Sequence, residues 1–306
     1  MLVSVRRGTH RRVLRENVEG WLFAGPFLIG FVVLWMGPLL ASAAISATNW
    51  NIIGSATFVG FANYFRAISD PRLLRAFEAT TTYAVASVPL GIVVGMSLAL
   101  LLNRQVRVMQ VFRTICYAPA VLAGVAVALL WKWMYNTEFG MLNLVLAAVG
   151  IQGPAWLNDP RWAPVSLVLM SLWHVGGSMV IYLAGLQSIP SDLYEAAQVD
   201  GANPWQRLRH VTLPLMTPVL FFQLVMGIIL GLQTFTQPYI MTKGGPQDAT
   251  LFFMLYLYQR AFVDFQMGYA SAMAWLLFLY ILVLTFLVFR SSAVWVHYEA
   301  ELKGRR

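Results

Sequence analysis

Charged side chains are scarce in this sequence. Only 11% of its 306 residues are Asp, Glu, Lys or Arg, whereas 59% are hydrophobic. Soluble domains carry about 25% charged residues, so this chain cannot cover a water-facing surface of ordinary size. Its mean hydropathy of +0.66 points the same way. The composition therefore predicts an integral membrane protein.

Several long runs contain no charged residue at all, and a membrane-spanning helix needs about 20 mainly apolar residues. These runs cover residues 20–65, 79–103, 114–130, 162–191, 210–242 and 265–289. We place one span in each run, near 21–47, 79–102, 114–134, 162–188, 214–240 and 268–289. The first run is much longer than the roughly 7–15 apolar residues of a signal peptide. We therefore expect an all-α protein with six transmembrane helices and no cleaved leader.

The chain also lacks the residues that most catalytic or ion-coupled membrane proteins need. A single cysteine, Cys116, excludes an intrachain disulfide or a cysteine-based metal site. Ionisable residues inside a membrane cost about 2.5–3.5 kcal/mol each, and apart from Lys132 at the end of the third span, His174 is the one such residue in the predicted spans. We expect a packed histidine there rather than a proton relay, and no catalytic or metal-binding residues. No phosphate-binding G-x-x-x-x-G-K-[ST] loop occurs, so any ATPase must be another chain.

The net charge of +8 is distributed unevenly across the predicted membrane. Six spans put both termini on one side, and 14 of the 21 Lys and Arg residues fall on that side. Basic residues are enriched on the cytoplasmic side of membrane proteins. This distribution predicts cytoplasmic termini and accounts for the basic charge without a nucleic-acid site.

The spans suggest four segments. They are a cytoplasmic N-terminal segment 1–19 resembling a surface amphipathic helix, a first span with its outer loop 20–76, a core 77–290 with five spans, and a cytoplasmic tail 291–306. The outer loop 135–161 is predicted to hold a re-entrant or interfacial helix. The core contains an unusually polar loop at 191–214.

That loop has the pattern of two short helices with a sharp turn. Ser191 can cap the first helix, and Gly201 can end it in the left-handed conformation. Asn203 can cap the second helix, with Pro204 at its first position. A rigid helix–turn–helix of this kind suits docking to a soluble partner.

Its continuation carries three further signals. Arg207 and Arg209 are predicted to lie near the negative C-terminal end of the second helix. Pro214 is predicted to open the fifth span.

The stretch "EAAQVDGANPWQRLRHVTLP", residues 195–214, resembles the EAA motif of the permease subunits of binding-protein-dependent ABC importers. The resemblance implies the type I importer permease fold, with this loop as the coupling helix that inserts into an ATPase subunit. It implies that Glu195 pairs with a basic residue of the ATPase. The implied docking residues are Glu195, Ala196, Ala197, Asp200, Gly201, Ala202, Leu208 and Pro214.

Other stretches, including "FVGFANYFRAI", "AWLNDPRWA" and "TKGGPQDATLFFMLYLYQRAF", resemble the carbohydrate-uptake branch of these permeases, most closely a MalF-like or UgpA-like subunit. The resemblance implies import of a sugar or a related small polar solute across a bacterial or archaeal plasma membrane. It implies two copies of an ABC ATPase subunit, or an ATPase heterodimer, which bind ATP and Mg. A second permease, MalG-like or UgpE-like, and an extracytoplasmic solute-binding protein complete the implied complex.

A sugar pathway needs aromatic platforms and hydrogen-bonding groups. The candidates in the fourth and fifth spans are Trp173, His174, Ser178, Gln223, Gln233, Thr234, Gln237 and Tyr239. Gln233, Thr234 and Gln237 recur at near-helical spacing and are predicted to face one side. Hydrogen bonding between packed helices is the alternative role for such residues. The absence of Arg or Lys from the spans, apart from Lys132 at the end of the third, favours a neutral sugar over a phosphorylated solute. A membrane scaffold that docks a soluble partner without transport remains the rival function.

Overall fold

The computed structural model describes residues 5–52, 54–104, 106 and 108–297. Side chains are described from residue 16 onward. Within these residues the secondary structure is helical, apart from one isolated antiparallel bridge between Thr48 and Phe58. Four helices are long and apolar enough to cross a membrane, and two further pairs of helices each meet at a bend. Counting each bent pair as one span gives six.

The helices are α1 Val5–Phe31, α2 Gly37–Ser46, α3 Ala62–Ser69, α4 Pro71–Leu102, α5 Val108–Val121, α6 Gly124–Met134, α7 Met141–Ala148, α8 Trp162–Ser171, α9 Gly176–Gln187, α10 Ser191–Val199, α11 Pro204–Arg207, α12 Leu213–Leu232, α13 Thr236–Met241, α14 Phe253–Tyr258 and α15 Met267–Trp295. Short turns of other helix types are Val32–Met36, Leu208–Thr212 and Gln259–Val263 (π) and Leu172–His174 (3₁₀). The spans are α1 with α2, α4, α5 with α6, α8 with α9, α11 to α13, and α15.

The all-helical, six-span prediction is confirmed, but the ends of the spans differ from those predicted. The second span begins at Pro71 instead of near 79, because the Asp70 carboxylate accepts hydrogen bonds from the backbone N–H groups of Arg72 and Leu73 at 3.0 and 3.3 Å. The outer loop predicted between the first and second spans therefore contains α3 and the start of α4.

The predicted terminal segments are also partly helical. Residues 5–19 of the predicted surface helix are the start of α1 and run into the first span without a break. The sixth span continues to Trp295, so residues 291–295 of the predicted tail are helical, while residues 298–306 lie outside the described residues.

The chain divides into two compact units. One comprises residues 1–67 and 260–275, and the other comprises residues 68–259 and 276–306. In the first unit, the Asn63 amide donates to the backbone carbonyls of Ser46 and Thr48 at 2.8 and 2.9 Å. Gly268 approaches the Thr48 carbonyl so closely that a Cβ there would overlap it. These contacts tie the end of α2, α3 and the start of α15 together.

The second, fourth and fifth spans form the core of the second unit. They approach closely where glycine removes a side chain, because a Cβ at Gly227 would lie 2.8 Å from Val88 and one at Gly95 would lie 3.0 Å from Tyr182. Small residues at helix contacts are typical of membrane bundles. The core nearest the loop 191–214 contains the buried residues Met96, Ala99, Leu102, Met179, Tyr182, Leu183, Leu186 and Met216.

An aromatic cluster packs the opposite end of this core. Its rings follow one another at 5.2–5.7 Å in the order Trp173, Trp131, Tyr135, Trp156 and Trp162. The Tyr135 hydroxyl donates to the backbone carbonyl of a fourth-span serine at 2.8 Å, which fixes the cluster against that span.

The loop 135–161 is anchored to this cluster. The Trp156 indole N–H donates to the Asn143 side-chain oxygen at 2.7 Å. Asn143 lies in α7, which has 8 residues and is the helix that the sequence predicts as re-entrant or interfacial. It is too short to cross a membrane.

We predict that Gly227→Leu destabilises the protein by about 1–3 kcal/mol, since the new side chain would overlap Val88 and force the second and fifth spans apart. Gly91→Leu is the matched control, because a Cβ at Gly91 meets nothing within 4 Å. Thermal unfolding in detergent, followed by loss of monodispersity, measures both. Equal melting temperatures for the two variants would contradict this packing.

Candidate functional site: a polar cavity and an exposed loop

A polar cavity of about 440 Å³ lies among the second, fourth and fifth spans. The residues that line it are Tyr83, Ser87, Val88, Gly91, Ile92, Ser171, His174, Val175, Ser178, Tyr182, Gln223, Met226, Gly227, Leu230, Gly231, Thr234 and Gln237. The volume is within the range of small-molecule sites. All three spans contribute hydrogen-bonding groups to it.

Two of the three helices are interrupted beside this cavity. The fourth span passes through a 3₁₀ turn at Leu172–His174, and directly after it, at Val175, its two halves meet at 48°. The fifth span stops at Leu232 and resumes at Thr236. Irregular backbone is tolerated at membrane depth where it lines a cavity or is buried in protein. The breaks therefore lie where polar backbone can be solvated.

The cavity wall combines polar and apolar side chains and carries no Asp, Glu, Lys or Arg. Ser87, Ser171 and Thr234 line the cavity together with Tyr83. Gln223 and Tyr182 line it as well. Hydroxyl and amide groups both donate and accept hydrogen bonds. The wall therefore suits a neutral polyhydroxyl molecule better than an ion.

The structure brings five of the eight candidate pathway residues into this cavity. They are His174, Ser178, Gln223, Thr234 and Gln237. Trp173 instead packs edge-on against Trp131 in the aromatic cluster, with ring centroids 5.7 Å apart. Tyr239 is 42% exposed and stacks on Phe235 at 5.1 Å.

Gln233 also lies outside the cavity, at the C-terminal end of α12 with an exposed side chain. The prediction that Gln233, Thr234 and Gln237 share one helical face is wrong, because the helix is interrupted between α12 and α13 and the 3.6-residue periodicity does not carry across the break. Pro238 was a signal for this break, since a proline ring clashes with the carbonyl four residues earlier.

Sequence reasoning missed the contribution of the second span. Tyr83, Ser87 and Gly91 follow one another at intervals of four residues and line the cavity together. Residues four apart lie on one helix face, so this polar stripe in an apolar run was a usable signal.

The loop 191–214 has the turn geometry that its sequence predicts. Gly201 has φ +79°, in the left-handed region. The N–H of Ala202 bonds the Ala197 carbonyl at 2.9 Å and that of Gly201 bonds the Gln198 carbonyl at 3.0 Å, which is the Schellman arrangement that ends a helix. Asn203 then caps α11.

The cap of α11 is a reciprocal capping box. The Asn203 side chain accepts from the Gln206 N–H at 2.9 Å, and the Gln206 side chain accepts from the Asn203 N–H at 2.8 Å. The predicted cap by Ser191 is wrong, because its hydroxyl is directed to the Asp192 carboxylate at 3.4 Å and makes no backbone cap.

The predicted end of the second loop helix is also wrong. Arg207 and Arg209 do not lie at a helix terminus, because α11 continues through a π-helical turn into α12. The Leu213 N–H bonds the Leu208 carbonyl, five residues back. The wider turn makes room for Pro214, which has no N–H and would clash with a carbonyl in a regular α-helix. The second loop helix and α12 thus form one continuous helix from Pro204 to Leu232.

The tip of the loop is exposed. Val199 and Trp205 are 88% and 66% exposed. Among the eight implied docking residues, Glu195, Ala196, Asp200 and Gly201 are exposed, while Ala197, Ala202, Leu208 and Pro214 are half-buried. An exposed tip with apolar and acidic side chains on a rigid base is suited to a protein partner.

The comparison with protein families decides the identity. Residues 87–295 match the family described as "Binding-protein-dependent transport system inner membrane component". The chain belongs to this family. Its cavity and its loop both lie within the matched region.

Individual relatives match over nearly their whole length. The probable ABC transporter permease YesP of Bacillus subtilis is 41% identical over 296 residues, covering 95% of this chain and 96% of YesP. The lactose transport system permease LacF of Rhizobium radiobacter is 35% identical, covering 90% and 94%. The trehalose/maltose transport system permease MalF of Thermococcus litoralis is 33% identical, covering 92% and 95%.

Solved structures share the fold. A chain of a bacterial ABC transporter for import of the acidic polysaccharide alginate superposes with a TM-score of 0.81 at 24% identity, covering 92% of this chain and 98% of that one. A chain of the alginate transporter in complex with its pentasaccharide-bound periplasmic protein gives 0.82 at 23% identity, covering 92% and 96%. At these identities the likeness establishes the permease fold.

We predict that Val199→Cys reacts much faster with a polar maleimide in detergent than Met179→Cys, because Val199 is 88% exposed and Met179 is 0% exposed. Both are made in a Cys116→Ser background, which removes the native thiol. Labelling is followed by the mass increase of the intact chain. Equal rates at the two positions would contradict the exposed loop.

Proposed function

We propose that this chain is the transmembrane subunit of an ATP-driven importer that moves a neutral sugar, delivered by a solute-binding protein, through alternating access. The uncharged polar cavity between interrupted spans is the observation that carries the proposal. The names of the relatives support it, since LacF and MalF are described as lactose and trehalose/maltose permeases. Hydrolysis of ATP would occur on a separate ATPase subunit.

The cavity chemistry favours a neutral substrate. A phosphorylated or acidic solute would need a buried cation in its path, and the lining holds no Arg or Lys. A sugar exchanges its hydrogen bonds with water for bonds to hydroxyl and amide groups, such as those of Ser178, Gln223 and Gln237. The rings of Tyr83 and Tyr182 offer apolar faces for stacking against a sugar ring.

The continuous helix offers a mechanical link between the loop and the cavity. It begins at Pro204 in the loop and reaches Leu232, and it lines the cavity with Gln223 and Met226 on the way. A pull on the loop would therefore be transmitted to the cavity wall as a rigid-body movement. The transporter would alternate between a state open to the outside and a state open to the inside. ATP binding shifts this equilibrium only to the extent that the two states differ in their contacts with the ATPase.

The partner would engage the tip of the loop. Glu195 is exposed and makes no ion pair with any residue that the structure describes, so it is free to pair with a basic residue of an ATPase subunit. Ala196 and Ala197 would allow close approach, and Gly201 would hold the turn. The distribution of basic residues supports placing this loop and both termini in the cytoplasm.

The loops on the other side would receive the binding protein, in the regions 58–76, 135–161 and 243–250. Two of these regions are joined by an ion pair: the Arg72 guanidinium donates two hydrogen bonds to the Asp248 carboxylate at 2.9 and 3.1 Å. A second permease of the same fold would complete the pathway.

We predict that Glu195→Gln abolishes coupling while leaving the fold intact. The expected result is a fall of about tenfold or more in ATP-dependent sugar uptake by reconstituted proteoliposomes, because loss of one partner of a desolvated interfacial ion pair costs about 2–5 kcal/mol. Asp192→Asn is the matched control, since Asp192 is an exposed carboxylate on the same helix. Normal uptake by Glu195→Gln, without crosslinking of the ATPase through a cysteine at this position, would refute the docking role.

We predict that Gly91→Leu blocks transport without dissociating the complex. The side chain would enter the open space beside the second span, where Gly91 borders the cavity. Uptake should fall to background while binding-protein-stimulated ATP hydrolysis and co-purification of the ATPase persist. Normal uptake would place the substrate path elsewhere.

Inhibition of wild-type uptake by sugar phosphates as strong as by neutral sugars would contradict the neutral-substrate assignment.

A further inference from the structure

A second polar pocket, of about 260 Å³, lies between the loop 191–214 and the ends of the second and fourth spans. Its lining residues are Leu100, Asn103, Leu186, Tyr194, Pro204, Arg207, Leu208 and Thr212. It shares no residue with the central cavity. The Tyr194 and Thr212 hydroxyls are hydrogen-bonded to each other at 3.0 Å on its wall.

The Arg207 guanidinium is the unexplained group in this pocket. Its Nε is buried and has no hydrogen-bond partner, and no carboxylate of the described residues forms an ion pair with it. Buried polar atoms without a partner are rare in folded proteins, and each calls for an explanation, such as a bound water or ion. For a guanidinium the natural acceptor is an anion that can take two parallel hydrogen bonds.

The surroundings add to the positive potential. The Arg113 guanidinium donates to the Leu102 carbonyl at 2.8 and 3.2 Å, next to Asn103 on the pocket wall. Asn103 offers a side-chain amide donor. The pocket thus combines one free guanidinium, a second cation nearby and neutral donors, with no carboxylate in its lining.

The position of the pocket favours the phosphate of a phospholipid over other anions. It is formed by the ends of two membrane spans and the base of the loop, and Leu100, Leu186 and Leu208 give it an apolar wall beside the polar one. Basic pockets between span ends on the cytoplasmic side suit phospholipid headgroups. A phosphodiester would meet Arg207, and the start of its acyl chains would meet the leucines.

We propose that this pocket binds the phosphate of a phospholipid from the leaflet that surrounds the coupling loop. The lipid would fill the space between the loop and the second and fourth spans, and so brace the base of the loop. Identifying this leaflet as the inner one rests on the proposed orientation of the chain in the membrane. The binding of the lipid itself does not depend on transport.

The test is phospholipid binding to the purified, delipidated transporter complex, measured by native mass spectrometry during titration with short-chain phosphatidylglycerol. We expect Arg207→Gln to weaken the tightest binding event about tenfold, as befits a charged hydrogen bond. Arg209→Gln is the matched control, because Arg209 is an exposed arginine of the same helix outside the pocket. Arg207→Lys, which keeps the charge, should fall between wild type and Arg207→Gln.

Two competitors identify the source of the anion. Short-chain diacylglycerol, which lacks the phosphate, should not compete, and inorganic phosphate should compete only far above the lipid concentration. Equal affinity of Arg207→Gln and Arg209→Gln would overturn the proposal, and so would competition by inorganic phosphate as strong as that by the lipid. Loss of the ATPase from the Arg207→Gln complex with unchanged lipid binding would also overturn it and assign Arg207 to an ATPase carboxylate. Lipid binding is measured without nucleotide or sugar, so its outcome is separate from that of the uptake assays.

Discussion

The cost of an unpaired backbone amide or carbonyl in an apolar medium, several kcal/mol for each group, is the constraint on which this structure depends. It makes unbroken helices the default for every span and makes each interruption costly. In the second unit the fourth and fifth spans are interrupted next to the central cavity, at Leu172–His174 and between Leu232 and Thr236. Such breaks are tolerated where the backbone lines a cavity that admits water or a polar solute. The position of the two breaks is therefore consistent with the polar cavity beside them.

Local chemistry made the loop 191–214 readable from sequence, whereas the cavity depended on events that local patterns encode weakly. Gly201, Asn203 and Pro204 each have one strongly preferred position in a turn, and all three occupy it. Ser191 fits the cap pattern equally well, but its hydroxyl has a competing acceptor in the adjacent carboxylate. Helical spacing predicted that Gln233 shares a face with Thr234 and Gln237. This prediction failed because the spacing assumes an unbroken helix, whereas α12 ends at Leu232.

The π-helical turn before Pro214 illustrates the same limit. A proline after a polar loop is an ordinary start signal for a helix, and sequence reasoning used it that way. The chain instead widens one turn, keeps the helix intact and extends the fifth span to Pro204. The sequence pattern alone does not distinguish a new helix that starts at Pro214 from a π turn before it, because both arrangements tolerate a residue without a backbone N–H. The difference matters mechanically: a separate loop helix could rotate independently of the span, whereas a continuous one transmits its displacement.

The scarcity of charge in the spans and the rigidity of the loop both bear on how free energy reaches the cavity. No Asp, Glu, Lys or Arg of the described residues lines the central cavity, so in the proposed importer the free energy enters from outside the membrane. The loop is a strongly polar segment that is continuous with a cavity-lining helix, and its Schellman turn and capping box satisfy backbone groups at its tip without help from the spans. A loop stabilised by its own hydrogen bonds can move as a body. Energy delivered to its tip would therefore change the shape of the cavity rather than unfold the loop.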